Sequence, residues 1–246
     1  LVSQTTGESF SASFAWFNQV NRIFGPDSPN GEWNGDIVLL NGTGTFGFGA
    51  VTLFAYDMEF DEAAGASNQT IGVRVTGRAP FGDSAFIYTL SAATQSEAGD
   101  NPSDYSETYS KLEGGINHGQ FTAAVGLEVL GGDGNNAFVT PLATLHAFQG
   151  WSDKFLATPA SGIEDTYLRF AYAPTITGRL FESVNFTAFY HQFDADFGSA
   201  AYGDELDLVV AARTGRITLT LKYATYDADS AFTDTDKLWF SMDYAL

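Results

Sequence analysis

The amino-acid sequence predicts an all-β protein, a transmembrane antiparallel up-and-down β-barrel of about twelve strands. Three observations point to this fold class. Apolar and polar residues alternate with a period of two along most of the chain, tight turns alternate with long polar loops, and residues 234–246 end the chain in one more alternating segment. We therefore expect residues 1–246 to form a single integral barrel domain in the bacterial outer membrane.

The alternating segments predict the individual strands. In FTAAVGLEV, Phe121, Val125 and Val129 fall on one face, while Thr122 and Glu128 fall on the other. Such alternation is typical of strands with one apolar and one polar face. The predicted strands are 9–21, 36–47, 50–60, 69–80, 84–95, 106–117, 120–131, 164–174, 183–194, 204–213, 216–227 and 236–246.

The connections between these segments are sorted by length. Tight turns are expected near Gly49, Gly82, Gly119 and Gly215, and long polar loops lie between them, the longest at residues 132–162. Outer-membrane barrels have short periplasmic turns and longer extracellular loops, whereas a soluble β-sandwich, the alternative fold, has no reason to sort its loops. We therefore assign the tight turns to the periplasm and the long acidic loops to the cell exterior.

The last segment predicts how the barrel is completed. Leu238, Phe240, Met242 and Tyr244 occupy every second position close to the end of the chain, a pattern similar to the terminal strand of bacterial outer-membrane proteins. Every backbone group inside a membrane needs a hydrogen-bond partner. The last strand is therefore expected to pair with the first.

The composition narrows the classes of function. Acidic residues outnumber basic ones by 30 to 11, for a formal charge of -19, which argues against nucleic acid as a partner because phosphate contacts need a cationic surface. The chain has no cysteine, so disulfides and thiolate metal sites are excluded. We expect no cofactor, and the expected partners are outer-membrane lipid and lipopolysaccharide.

Four segments resemble a known family. NRIFGPDSPNGEW, TPLATLHAFQGWSDKFLATPASGIEDTYL, YHQFDADFGSAAYGDELDL and LKYATYDADSAFTDTDKLWFSMDYAL resemble the alginate-export family of bacterial outer-membrane β-barrel proteins, in its alphaproteobacterial branch. The resemblance covers residues 21–246 and is most specific over 141–168. It implies a monomeric barrel that passes an anionic polysaccharide or a similar solute. It also implies about eighteen strands, the first third of which would precede Leu1, and a reduced barrel of about twelve strands is the alternative.

The two-residue alternation along each strand, here called strand parity, assigns most charged residues of the strands to the barrel lumen. The assigned residues are basic Arg74, Arg78, Lys111, Arg169, Arg213, Lys222 and Lys237 and acidic Asp57, Glu59, Glu113, Glu128, Asp165, Glu205, Asp207 and Asp243. Inward placement is expected of any barrel because charge avoids lipid. In one hypothesis these residues form ion pairs that brace the wall. In the other, Arg74, Arg78, Arg169 and Lys222 form a cationic track that attracts the carboxylates of an anionic saccharide.

The loop at residues 132–162 carries too many apolar residues for a freely solvated segment. We predict that it folds into or over the extracellular mouth of the barrel as a plug or constriction. Its candidate residues are Leu145, His146, Phe148, Trp151, Lys154 and Phe155. Phe148 and Trp151 could also stack on sugar rings, and packing against the wall is the alternative role for each of them.

The apolar face of the strands predicts where the barrel meets lipid. Some aromatic residues of this face are expected to form girdles at the two membrane interfaces. The residues assigned to it are Phe10, Phe14, Trp16, Tyr56, Tyr88, Tyr172, Tyr190, Tyr223 and Tyr244.

Catalytic and metal-binding motifs are absent from the sequence. The histidines, His118, His146 and His191, are scattered over a turn, a loop and a strand, and no nucleophile-elbow, zinc-protease or phosphate-loop motif occurs. His191 with Asp194 and Asp196 is the one cluster that could serve a barrel hydrolase. The acidic loops lack the spacing of a calcium loop. We therefore expect neither an enzyme nor a metal site.

These observations predict a porin-like conduit of the alginate-export type, in which an anionic polysaccharide or a small hydrophilic solute passes through a charged lumen. Two alternatives stay open. One is a plugged structural barrel whose long acidic loops bind a partner, and the other is an outer-membrane hydrolase. Conductance separates the conduit from the plugged barrel, and hydrolase assays test the last alternative.

Overall fold

The structure, a computed structural model, describes residues 2–6, 8–22, 25, 27–28, 31–143, 145–176 and 180–246. Within these residues the chain forms thirteen strands. They are β1 (Val2–Thr6), β2 (Glu8–Asn21), β3 (Glu32–Phe46), β4 (Gly49–Phe60), β5 (Asn68–Phe81), β6 (Ser84–Glu97), β7 (Ser106–His118), β8 (Phe121–Leu130), β9 (Ile163–Tyr172), β10 (Ser183–Asp194), β11 (Ala201–Thr214), β12 (Ile217–Ala228) and β13 (Thr235–Tyr244). The helical elements of this part of the chain are two 3-10 turns, Ala64–Ala66 and Leu145–Ala147, and neither could span a membrane.

All of these strands belong to one antiparallel sheet, in which each strand pairs with its neighbours in sequence. Tight turns join β3 to β4, β5 to β6, β7 to β8 and β11 to β12 at one end of the sheet. Apart from residues 173–182, which join β9 to β10 at the tight-turn end, the longer connections lie at the opposite end. The longest of them, residues 131–162, joins β8 to β9. We call these residues the long loop.

The strands β2 to β13 are the twelve that the sequence predicts, so the all-β, antiparallel up-and-down architecture is confirmed. β1 is an addition, and its sequence, VSQTT, has no apolar alternation by which it could be predicted. The sheet is not closed, because β13 pairs only with β12 in the described part of the chain. The expected pairing of the last strand with the first is therefore not observed, and the alternative of about eighteen strands has no support.

The two faces of the sheet differ, as period-two alternation requires. The outer face carries large apolar side chains that remain exposed, such as Phe14 (68%), Leu53 (62%) and Phe240 (70%). The inner face carries mostly hydroxyl, amide, charged and aromatic side chains, and the long loop packs against it. An extended apolar surface of this kind is suited to contact with lipid.

The cross-strand register corrects three of the predicted orientations. Tyr56 lies on the inner face, where its hydroxyl donates a hydrogen bond to the side-chain oxygen of Asn41 at 2.8 Å. Asp57 and Glu59 share the outer face with Leu53, so their predicted lumen placement is wrong. The parity of β4 is ambiguous because four successive positions, LFAY, are apolar or aromatic.

A glycine on β8 lets an aromatic ring cross one strand to reach the next. A Cβ at Gly126 would lie 2.1 Å from the ring of Tyr167, so no larger residue fits beneath the ring. The Tyr167 hydroxyl thereby reaches over β8 and donates to Glu113 Oε2 on β7 at 2.8 Å. Small residues in strands often mark such close approaches.

Two hydrophobic clusters lie at the long-loop end of the inner face. The first consists of Leu130, Phe138, Phe155, Ile163, Phe193, Ala195, Tyr202 and Tyr226. The second is centred on Ile37, Met58 and Phe60, and Leu142 packs against it. Because the long loop contributes residues to both clusters, apolar burial holds it against the sheet.

Candidate functional site on the inner face

The long loop extends across the inner face. Near its start, Val139 exchanges two hydrogen bonds with the Gln95 side chain on β6, at 2.9 and 2.8 Å. Leu142 then packs against the cluster around Ile37 on β3 and β4. The chain returns to β11, β12 and β13, where residues 146–154 contact the wall. The loop therefore narrows the space in front of the inner face.

Phe155 anchors the returning part of the long loop. Its side chain is buried, with 6% exposed. Its ring centroid lies 4.7 Å from that of Phe193, 5.1 Å from that of Phe232 and 5.7 Å from that of Tyr202. Phe148, in contrast, is 47% exposed, so it contributes little to this anchoring. Leu145 begins the second 3-10 turn, and its side chain lies outside the described part of the structure.

Lys222 on β12 lies at the centre of the contact between loop and wall. Its ammonium group donates a hydrogen bond to His146 Nε2 at 3.1 Å. The same group lies 4.4 Å from the ring centroid of Trp151 and 5.8 Å from that of Trp239. Aromatic faces attract a cation without neutralising its charge. The charge of Lys222 therefore remains available to an anion.

Asp153 ties the long loop to β13. Its carboxylate accepts hydrogen bonds from His146 Nδ1 at 2.6 Å and from Lys237 Nζ at 2.7 Å. Lys154 donates to Thr235 Oγ1 on the same strand at 2.6 Å. Burial raises the pKa of Asp153, but the hydrogen bonds from Lys237 and His146 outweigh this effect and hold the pKa below its ordinary value. Asp153 is therefore charged at neutral pH.

Other charged residues of the inner face form ion pairs within the wall. Lys111 Nζ lies 2.9 Å from Glu128 Oε2, and the Tyr109 hydroxyl donates to the other oxygen of this carboxylate at 2.7 Å. Arg169 lies 3.1 Å from Glu113. These contacts agree with the hypothesis that ion pairs brace the wall, and they remove Arg169 from the cationic track.

Arg74, Arg78 and Lys222 differ from these paired cations. No carboxylate lies within ion-pair distance of them among the residues that the structure describes. Arg78 donates to the neutral side-chain oxygen of Asn117 at 3.0 Å, and Arg74 is exposed on β5. The positive charge of the inner face that is not neutralised therefore lies on β5 and β12.

The remaining predicted lumen residues lie apart from this region. Arg213 and Glu182 are 3.7 Å apart at the tight-turn end, and each side chain is 61% exposed. Asp243 is exposed near the end of β13. Asp57 and Glu59 lie on the outer face and take no part in the site.

The proposed grouping of His191 with Asp194 and Asp196 does not form. His191 Nδ1 lies 2.8 Å from Asp165 Oδ1, and its Nε2 lies 3.8 Å from Asp207 Oδ2. Asp194 lies opposite Glu164 of β9 and is exposed, so it points away from the buried side chain of His191. Asp196 instead accepts a hydrogen bond from a backbone amide of the long loop at 3.2 Å.

Three residues that hold the long loop, Gln95, Thr235 and Asp153, were missed by sequence reasoning. Gln95 and Thr235 are polar residues at inner positions near the long-loop end of their strands, and this position is the signal that could have identified them. In the part of the chain that the structure describes, no three His, Asp or Glu side chains are placed to hold a metal ion.

Comparisons with solved structures show which proteins share this fold. Pseudomonas aeruginosa OccK7 (OpdD) is 16% identical with a TM-score of 0.72, and the match covers 100% of this chain and 66% of that one. The structure of P. aeruginosa OpdK with vanillate is 15% identical with a TM-score of 0.71, covering 98% and 65%. Acinetobacter baumannii OccAB3 is 12% identical with a TM-score of 0.69, covering 98% and 65%. No protein-family model and no curated protein sequence matches the chain.

These neighbours correct the expected resemblance. They are outer-membrane channels of the OccK/OprD group, so the predicted relation to the alginate-export family is wrong. The present chain spans about two thirds of the length of the channels that it matches. The neighbours are channels and not enzymes, in agreement with the prediction for this chain. The chain thus has the fold of integral outer-membrane channels of Gram-negative bacteria, in agreement with the predicted location.

Proposed function

We propose that this chain lines an outer-membrane channel for small hydrophilic solutes, with a preference for solutes that carry a carboxylate. The observation that supports this preference is the presence of three inner cations, Arg74, Arg78 and Lys222, that have no carboxylate partner within the described residues. Cations arranged along a passage attract anions and release them again when binding at each position is weak.

The region around Lys222 suits a solute with both a carboxylate and a ring. The ammonium group can form a charge-assisted hydrogen bond with the carboxylate, and the indoles of Trp151 and Trp239 offer apolar faces to the ring. Vanillate, which is present in the OpdK structure, has this combination of groups. The proposal does not extend to a polysaccharide, because the long loop crosses the inner face and leaves a narrow path.

We also propose how the sheet is placed in the outer membrane. Unpaired strand edges are not stable in hydrocarbon, so both edges of the sheet are paired in the membrane and close the barrel. The outer face contacts lipid and lipopolysaccharide through its apolar side chains. The tight turns face the periplasm and the long loops the exterior, and the protein acts as a monomer.

Ion selectivity in planar bilayers tests the preference for anions. At about 8 Å from a permeating ion in water, each arginine contributes about 0.5 kcal/mol, and screening at about 0.1 M salt roughly halves this value. The charge attracts anions and repels cations, so the double variant Arg74→Gln/Arg78→Gln should lower the anion-to-cation permeability ratio by roughly fivefold. Arg216→Gln is the matched control, because it removes one charge at a tight turn and should leave the ratio unchanged. The reversal potential in a salt gradient gives the ratio directly.

Two outcomes would contradict the proposal. An unchanged reversal potential in the double variant would show that these arginines do not act on permeating ions. A folded protein with no conductance would favour the plugged structural barrel, in which the long loop closes the lumen.

A further inference from the structure

A pair of carboxyl groups is buried beneath the long loop. Glu205 and Asp207 are two positions apart on β11, so both side chains point to the inner face. They are 1% and 0% exposed, respectively. Because they are neighbours on one face of the strand, one carboxyl group can hydrogen-bond the other when one of them carries a proton.

The backbone of the long loop covers this pair. The amide of Trp151 donates to Asp207 Oδ2 at 3.2 Å, and the amide of Ser152 donates to Glu205 Oε1 at 2.7 Å. Gly150 has a φ of +81°, and a Cβ there would lie 2.5 Å from Glu205 Oε2. Glycine therefore lets the backbone approach the carboxyl group. The second oxygens, Glu205 Oε2 and Asp207 Oδ1, are buried without a hydrogen-bond partner in the described structure.

Several charged or titratable groups surround the pair. His191 on β10 lies 3.8 Å from Asp207 and also binds Asp165 on β9. Lys222 on β12 is the nearby cation, but neither carboxyl group of the pair lies within ion-pair distance of it in the described structure. The other groups that face this region are Tyr226 on β12 and His146, Asp153 and Lys154 on the long loop.

Two negative charges in this position would be unfavourable for two reasons. Carboxylates at close range repel each other strongly when water is excluded. In addition, two buried oxygens would lack a donor, and each unsatisfied buried group is costly. One proton shared by the two carboxyl groups reduces both problems, because it removes one negative charge and lets one group donate a hydrogen bond to the other.

We propose that Glu205 and Asp207 share one proton, and that this proton latches residues 150–152 of the long loop to the wall. When the pair loses the proton on alkalinisation, both groups become charged and are better solvated by water than by the loop backbone. The loop then lifts from β11. The long loop is therefore a pH-sensitive gate over the inner face.

The linkage between proton and loop fixes the size of the effect. Lifting the loop releases one proton, so the ratio of lifted to latched molecules rises by up to about tenfold per pH unit. This rise ends at the pH at which the latched pair itself loses the proton. Above that pH, the ratio of lifted to latched molecules is constant.

A cysteine at position 152 reports loop lifting. Ser152 is 2% exposed and its hydroxyl has no hydrogen-bond partner in the described structure, so Ser152→Cys breaks no side-chain hydrogen bond. The natural chain has no cysteine. The intact protein in lipid vesicles is treated with a water-soluble thiol reagent across the neutral to alkaline range. Leu156→Cys, which is 44% exposed on the same loop, corrects for ionisation of the thiol itself.

We expect the labelling ratio of Ser152→Cys to Leu156→Cys to rise with pH by up to about tenfold per unit. In Asp207→Asn, the amide group donates a hydrogen bond to Glu205 and does not titrate. In this variant the labelling ratio should therefore not change with pH. Glu205→Gln is the second variant of the same kind. Thiol labelling reports movement of the loop and not ion flow, so its result is independent of whether the channel selects anions.

Three results would overturn the latch. The first is a ratio that does not change with pH in Ser152→Cys alone. The second is a rise that persists in both amide variants, which would assign the proton to another group. The third is a ratio that follows the concentration of sodium or calcium at constant pH, which would assign a metal ion to the pair.

Discussion

Phe155→Ala tests whether apolar burial holds the long loop against the inner face. The substitution removes a ring that is 6% exposed and contacts several aromatic side chains. Truncation of a buried phenylalanine costs about 3–5 kcal/mol. The lower value is appropriate because Phe232, one of the contacts, is itself 44% exposed. A change of about 1.4 kcal/mol alters an equilibrium constant tenfold, so a loss of about 3 kcal/mol raises the fraction of molecules with a detached long loop roughly a hundredfold.

The assay for Phe155→Ala is single-channel recording in planar bilayers. A detached loop leaves the passage wider, so we expect higher conductance or new long-lived open levels. Phe148→Ala is the matched control, since the same truncation at a side chain that is 47% exposed should change little. Folded Phe155→Ala protein with the conductance of the unsubstituted channel would refute the reasoning, as would equal effects of the two substitutions.

Three further predictions concern stability and pH. Gly126→Ala should lower the free energy of unfolding by about 1–3 kcal/mol, because the added methyl group overpacks the site. Gly114→Ala is the control and should have no such effect, because the nearest ring atom there is 3.5 Å away. Thermal melts of the two variants give the comparison. The single variant Lys111→Met should destabilise the folded protein more than the double variant Lys111→Met/Glu128→Leu, by up to about 3–5 kcal/mol. The reason is that the single change leaves the buried Glu128 carboxylate without its ion-pair partner. Equal melting temperatures of the two variants would count against this ion pair. The pKa of Asp153 is lowered from 3.8 in the folded loop. The stabilisation that its carboxylate gives to the loop is therefore complete above that pH and is lost as the pH falls through the lower folded value. The loop should then detach and the conductance should rise at acid pH, and in Asp153→Asn this acid rise should be absent.

The architecture could be predicted because a membrane barrel repeats one rule along every strand. Period-two alternation separated the residues of β2 to β13 into two faces, and in β12 it placed Leu221 outside and Lys222 inside, as the register does. The rule is ambiguous where apolar residues are consecutive, as in LFAY of β4, and there the orientation of Asp57 was wrong. β1 offers no alternation at all.

The identity of charge partners could not be predicted, because it depends on register between strands and on the path of the long loop. Arg169 faces inward by the alternation of β9, but only the register shows that Glu113 on β7, on the far side of β8, lies 3.1 Å away. Similarly, Asp153 has no pattern in the sequence that relates it to Lys237 on β13. The division between paired and unpaired cations therefore became visible only in the structure.

The relation to the alginate-export family was inferred largely from aromatic and acidic loop segments. Such segments satisfy general requirements, namely packing of a loop against a barrel wall and solvation at the cell exterior. They therefore identify an outer-membrane barrel more reliably than a particular solute. The arrangement of inner-face side chains carries the solute preference, and neighbours with 12–16% identity share the fold without fixing those side chains.

The separation of a lipid-facing outer face from a wetted inner face is tested most directly by cysteine accessibility along β12 and β13. Single cysteines replace Thr220 and Ser241 on the inner face and Leu221 and Phe240 on the outer face in membrane-embedded protein. A charged, water-soluble thiol reagent should label the two inner positions and leave the two outer positions unmodified. Labelling of Leu221→Cys and Phe240→Cys at the rates of the inner positions would contradict the account.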